Sequence, residues 1–257
     1  MNAVLTVLGS GTSMGVPTIG CTCRVCTSSD PRDQRTRPSI MLQYGGRCVL
    51  IDTTPDFRQQ AIRERIRHID AILYTHAHAD HILGLDDVRP LSFRAEDRIP
   101  LYAHDKTASA VESIFRYIFD ANYKYGGIAR VEMNRLNGAL DLFGARFEPV
   151  EIMHGDSVIH GFRFGGAAYL TDFSEIPSHS MQQLQGLDIL FLDALRHRPH
   201  PTHSTVANSL RLVDELKPKR AFFTHISHDL AHEETNHDLP AHVRLAHDGL
   251  KLEFEIA

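Results

Sequence analysis

An α/β fold is what the 257-residue sequence predicts, and three observations carry that expectation. Short β-branched and apolar runs recur along the whole length, each closed by a polar or glycine-rich break. Early runs come as adjacent pairs, two of them joined by Gly45-Gly46, whereas later runs alternate with segments of helical period, so a mixed sheet is expected. No short-period repeat, low-complexity tract or Pro/Gly/Ser-rich linker divides the chain, which predicts a single domain over 1–257.

Taken in order, strands are expected at 4–8, 40–44, 48–52, 71–75, 147–152, 167–171, 189–192, 221–224 and 250–256. The first has no basic flank and is too short for an export signal, so it reads as a strand. Helices are expected at 56–67, 106–119, 181–185 and 205–216. The second sets Ala110, Ile114 and Ile118 on one face. The last is marked at both ends: Ser204 or Thr205 can cap it, and Lys217-Pro218 stops it. Cys48, inside Cys48-Val49-Leu50-Ile51, is expected to be an inert core thiol.

Polar residues fall at the ends of these apolar runs. Asp52 follows Val49-Leu50-Ile51, His76 follows Ile72-Leu73-Tyr74-Thr75, and His154 follows Val150-Glu151-Ile152-Met153. Asp172 and His225 close two more. Strand ends on one rim are where loops assemble a site. Densest of all is Thr75-His76-Ala77-His78-Ala79-Asp80-His81, with three imidazoles and a carboxylate directly after an apolar strand. Imidazole and carboxylate are common ligands of divalent first-row ions, and residues that turn in different directions can serve two of them. His76, His78 and His154 form a set for one ion, Asp80, His81 and His225 a set for the other, and Asp172 is placed to bridge. Such a pair of ions, about 3.5 to 4 Å apart, can hold the attacking and leaving oxygens of a displacement at phosphorus. Asp52 is expected behind the ligands, bonded to their imidazoles or to loop backbone, with a structural role in the turn as the alternative.

A second metal-like cluster lies at about 20–27. Cys21, Cys23 and Cys26 are too close together for a disulfide framework, and three thiolates ask for one more ligand to complete a tetrahedral zinc. His228, three residues beyond His225, can supply it; a redox role for the cysteines is the alternative. The Gly-rich stretch from Gly9 to Gly15 lacks G-x-G-x-x-G and a following helix, so it reads as a tight turn and not a nucleotide loop.

The order HxHxDH, then the His of "EIMHGD", the Asp of "YLTDFSEIP" and the His of "FFTHISHD" resembles the metallo-beta-lactamase-fold hydrolases from Val4 to about Asp229. That resemblance implies a four-layer αββα sandwich with two divalent metals, zinc or manganese, at one edge. The cysteine triad with His228, the opening "GSGTSMGVPTIGC" and "LIDTTPDFRQQ" are similar to its phosphoribosyl cyclic phosphate phosphodiesterase branch, which also carries a structural zinc. The branch implies a phosphodiesterase that opens 5-phosphoribosyl 1,2-cyclic phosphate to ribose 1,5-bisphosphate, in phosphonate metabolism. It also implies a proton-donating His in a loop near the metals, which His203 of "HPTHST" matches best, with His200 as rival; Asp80 is carried over as catalytic besides its ligand role. Asp193 is expected either to orient a neighbouring imidazole or to cap buried backbone. Arg35, Arg37 and Arg89 are candidates for holding a second phosphate.

Composition excludes some partners. A net charge of −5 without a long Lys/Arg run argues against coating nucleic acid or an anionic membrane. No run reaches the roughly 18 apolar residues of a membrane span. The expectation is a cytoplasmic protein acting on a small phosphorylated substrate, with no stable nucleic-acid partner, no membrane and a homodimer possible. A transfer-RNA 3' processing type nuclease, a cyclic nucleotide phosphodiesterase, a lactone or thioester hydrolase and a non-catalytic metal-binding protein are the rival readings.

Overall fold

The structure, a computed structural model, describes residues 1–256. Six strands, β1 (Asn2–Gly9), β2 (Ser39–Tyr44), β3 (Arg47–Ile51), β4 (Ala71–Leu73), β5 (Ile99–Ala103) and β6 (Val131–Arg135), lie in one sheet. The next seven, β7 (Leu140–Leu142), β8 (Ala145–His154), β9 (Ser157–Phe164), β10 (Ala167–Leu170), β11 (Ile189–Asp193), β12 (Arg220–Thr224) and β13 (Val243–Leu245), form the other. A last strand, β14 (Lys251–Glu255), returns to pair antiparallel with β1. Both sheets are mixed, as the paired and alternating runs predict: β1, β2 and β3 are antiparallel neighbours, whereas β3 to β6 run parallel.

Period-two alternation builds the layers. In β3, Val49 and Ile51 join the core between the sheets, while Cys48 and Leu50 face the helices outside. β10 divides likewise, with Ala167 and Tyr169 inward and Ala168 and Leu170 outward. The helices on the first sheet are α1 (Phe57–Arg63), α2 (Ala79–Ile82), α3 (Arg89–Ser92), α4 (Asp105–Ile114) and α5 (Arg116–Phe119). Those after β10 are α6 (Ser178–Gln183), α7 (Val206–Leu216) and α8 (His232–Asp238). Each fully buried Phe or Leu in the shared core contributes about 1.5 to 3 kcal/mol, and that core draws from both sheets. The result is the expected four-layer αββα sandwich. No helix is long and apolar enough to cross a membrane among the described residues.

Several elements escape the periodicity reading, for identifiable reasons. β5 carries Pro100 and β9 carries Gly161, both poor strand formers. Gly161 is required by crowding, because a Cβ there would meet Leu170 Cδ2 at 2.3 Å. β6, β7 and β13 are short or mostly polar, and α8 is polar throughout. The helix expected at 56–67 stops at Arg63, since Arg65 takes a left-handed conformation with φ 55°. That expected at 106–119 breaks at Phe115 into α4 and α5. α6 starts earlier than predicted, at Ser178. α7 follows its signals: Thr205 accepts from the Asn208 N–H at 3.1 Å, and left-handed Lys217 ends it before Pro218.

Candidate metal centre

The loops at the carboxyl ends of β3, β4, β8, β10, β11 and β12 meet at one edge of the sandwich. Three of the residues there, Asp52, Asp172 and His225, take left-handed conformations with φ 68°, 59° and 56°. Non-glycine residues rarely adopt that region, so the chain bends sharply where it leaves each strand and turns the side chain back over the sheet edge. His76 and His78 lie on the loop after β4, while Asp80 and His81 occupy the first turn of α2. Because the backbone changes from extended to helical between His78 and Ala79, the two halves of the motif aim at different points.

Donor atoms of His76, His78 and His154 lie within 4.8 Å of one another, and so do those of Asp80, His81, Asp172 and His225. The first group is the trio named from the sequence, and the second joins Asp80, His81 and His225 with Asp172, which was expected from the sequence to lie between the two. Asp172 spans them: Oδ1 is 3.2 Å from His81 Nε2, and Oδ2 is 3.1 Å from His225 Nε2 and 3.9 Å from His76 Nε2. Behind the cluster, Asp52 Oδ2 accepts from His81 Nδ1 at 2.7 Å and from Thr75 Oγ1 at 2.8 Å, and Oδ1 accepts from the Thr75 N–H at 2.9 Å. The Thr202 carbonyl accepts from His154 Nδ1 at 2.9 Å. These second contacts direct Nε2 of both imidazoles toward the cluster. Thr75 and Thr202 carry no sequence signal of this role.

The residues fit divalent metal. His76 Nε2, Asp80 Oδ2, His81 Nε2 and His225 Nε2 are buried without a hydrogen-bond partner, which native interiors rarely tolerate. Electrostatics agree: burial opposes charge on His225, yet Asp172 and Asp80 overrule it and raise the imidazole to about 10. His81 is raised well above its ordinary value by the same contest, with Asp172 its strongest partner. The buried carboxylates thus demand positive charge at this spot, which a divalent cation satisfies while leaving the imidazoles neutral.

His203 stands over both sets. Its ring centroid is 4.9 Å from His154 and 4.5 Å from His225, and Nδ1 donates to buried Asp193 Oδ2 at 2.6 Å. Asp193 therefore orients an imidazole, one of the two roles open from sequence. Burial pushes the Asp193 carboxyl up and His203 down to about 4, with the His225 charge the next contribution to His203.

In the other cluster, His228 Nδ1 lies 3.2, 3.6 and 3.3 Å from the sulfurs of Cys21, Cys23 and Cys26. A tetrahedral zinc with ordinary bond lengths would set N···S at about 3.5 Å, so the four donors fit one ion. Buried Arg35 braces this region: Nη1 donates to the Ser227 carbonyl at 3.0 Å, and Nη2 donates to the Leu230 carbonyl at 2.7 Å and Asp33 at 2.9 Å. The candidate phosphate-holding role of Arg35 is thereby corrected, since its donors are spent on the loop that carries both His225 and His228. Arg37 is bonded to Asp56, and Arg89 to Asp86 and the Gly127 carbonyl. Cys48 is buried and burial pushes its thiol up to about 12, as an inert core residue should behave.

Residues 47–226 match the beta-lactamase superfamily domain. A crystal structure of a diphosphatase from the PhnP family is 64% identical, with a TM-score of 0.95, covering 100% of this chain and 98% of that one. Zinc-bound PqqB from Methylobacterium extorquens is 21% identical with a TM-score of 0.75, over 97% and 99% of the two chains, a likeness of fold. A protein of Porphyromonas gingivalis described as an octanoyltransferase is 36% identical over 95% of this chain, which spans 50% of that protein's length. With fold, donor sets and relatives in agreement, the chain belongs to the PhnP family of the beta-lactamase superfamily and is a metal-dependent hydrolase.

Proposed function

We propose that this hydrolase is a dinuclear phosphodiesterase whose substrate is a small cyclic phosphodiester, with 5-phosphoribosyl 1,2-cyclic phosphate, opened to ribose 1,5-bisphosphate, as the leading candidate. The observation that carries the reading is the Asp193–His203 pair, held at 2.6 Å with the His203 ring beside one imidazole from each donor set. Expelling a sugar alkoxide requires a proton at the departing oxygen, and a positioned imidazole supplies it. Because Asp193 accepts the Nδ1–H of His203, the donor is the imidazolium, whose charge the Asp193 carboxylate offsets and whose second proton, on Nε2, passes to that oxygen.

His76, His78 and His154 would hold one divalent ion and Asp80, His81 and His225 a second, with Asp172 between them. When bound, the ions supply Lewis acidity toward phosphoryl oxygens and lower the pKa of an attacking water. Asp52 and the Thr202 carbonyl keep His81 and His154 in the tautomers that face the ions. Imidazole and carboxylate accept zinc or manganese, whereas Cys21, Cys23, Cys26 and His228 favour zinc.

The 64% identical relative described as a diphosphatase favours a second reading, cleavage of a small molecule's phosphoanhydride. A departing phosphate is a far weaker base than an alkoxide, so that reaction has less use for His203. The test is turnover by zinc- or manganese-loaded protein of the ribosyl cyclic phosphate, a 2',3'-cyclic nucleotide, an aryl phosphodiester, a small diphosphate and a lactone. Preference for the ribosyl cyclic phosphate, with His203→Ala losing about 10² to 10⁴-fold on it and far less on the aryl ester, supports the first reading. Preference for the diphosphate installs the second, and turnover of the lactone alone discards both.

A further inference from the structure

We propose that His200 is a substrate-binding residue whose Nε2–H is donated to a phosphate remote from the reacting phosphorus. This rests on the reading of the site as one for phosphorylated substrates. The three arginines that suit a second phosphate by sequence are all engaged with protein groups, and one is buried. An uncommitted donor beside the acid is His200. Its ring centroid is 5.0 Å from that of His203, and it lies half-buried at the rim of the cluster.

Its tautomer follows from its neighbours. The Thr202 backbone N–H donates to His200 Nδ1 at 3.3 Å, and Thr202 Oγ1 lies 3.2 Å from the same nitrogen. A backbone N–H can only donate, so Nδ1 carries the lone pair and the neutral ring carries its hydrogen on Nε2. No protein acceptor takes that hydrogen among the described residues.

Thr202 also fixes the ring in space. Its carbonyl holds His154 Nδ1 while its N–H holds His200, so one peptide-linked residue orients a candidate metal ligand and the rim donor together. The segment cannot drift sideways. Gly155, after His154, packs against the Thr202 side chain so closely that a Cβ would sit 3.0 Å from Cγ2. Arg196 holds the loop from its other side through the Arg198 and Pro199 carbonyls. His200 is therefore a preorganised donor, set in place before substrate arrives.

The experiment compares an aryl phosphodiester with the same compound bearing a second phosphomonoester, using wild type, His200→Ala and His200→Gln loaded with metal. The preference for the doubly phosphorylated substrate should fall about tenfold to a hundredfold in His200→Ala, through KM, as for a lost hydrogen bond to a charged group. His200→Gln, whose amide can donate from nearby, should recover part of it. Equal losses on both substrates would overturn the inference. Two readouts need no turnover: ¹⁵N spectra of the histidines should show His200 as the Nε2–H tautomer, and ribose 5-phosphate should bind wild type more tightly than His200→Ala in calorimetry. If no phosphodiester is turned over, the phosphodiesterase reading fails separately, and a Nδ1–H tautomer or equal ribose 5-phosphate binding would sink the role of His200.

Discussion

The cysteine cluster and the strand-edge cluster gather their donors in opposite ways. Cys21, Cys23 and Cys26 come from one short loop, are partly exposed or shallowly buried, and close on a single nitrogen of His228. The strand-edge donors come from four separate segments between His76 and His225, most of them buried, and they leave one side open toward His203. A closed set of four satisfied ligands holds structure, whereas an open set leaves room for substrate. The supporting shells differ as well: Arg35 braces backbone around the cysteines, while Asp52, Thr75 and Thr202 select tautomers around the imidazoles.

That contrast predicts that damage to one cluster removes chemistry and damage to the other removes stability. The largest effect is expected from Asp172→Ala, which deletes the carboxylate between both donor sets. Turnover should fall by more than about 10³-fold, with circular dichroism and the capacity of the cysteine cluster to bind added zinc unchanged. Next, Cys26→Ser should lower the thermal midpoint by about 10 °C, because a bound structural ion contributes several kcal/mol and each kcal/mol shifts a domain of this size by a few degrees. Residual turnover per folded molecule should stay within a few-fold of wild type; loss of turnover without loss of stability would erase the distinction. Asp52→Asn removes the acceptor for His81 Nδ1–H and should weaken metal retention by about tenfold to a hundredfold, read by competition with a chelator.

The smallest effect concerns a histidine outside both clusters. His160 in β9 stacks on His104 at 4.2 Å, and burial, then His104, lowers it to about 4. Its folded value lies below the unfolded value of about 6.5, so the unfolded chain binds the proton first as pH falls. The stability it preserves is full above about pH 6.5 and is lost as pH drops toward 4. His160→Gln should flatten the denaturation midpoint across that window by on the order of 1 kcal/mol relative to wild type, a difference from which the acid sensitivity of the candidate metal-ligating histidines, common to both proteins, cancels.

Much of this was legible along the chain because metal ligation concentrates rare residue types at short spacing. The HxHxDH segment and the cysteine triad are local, so their chemistry could be read without knowing what packs against them. The long α7, with its cap and stop, and the apolar strands of the core were equally plain. β5 and β9 were not, because Pro100 and Gly161 weaken the local signal and only neighbouring strands make those segments extended. Arg35 shows the same limit at a side chain: sequence offered a cation for phosphate, and burial under the 225–230 loop made it a brace.

The sequence by itself named the candidate residues of the site and their two donor sets, predicted mixed strand pairing from the order of its apolar runs, and implied the αββα layering through resemblance. Tertiary structure decided how they act together: Asp172 within reach of both sets, Asp193 on His203, and Thr202 holding His154 and His200 at once. The physical reason is that donor identity is a property of single residues. Tautomer, orientation and shared contacts depend on backbone groups brought together from distant positions, and periodicity carries no record of them.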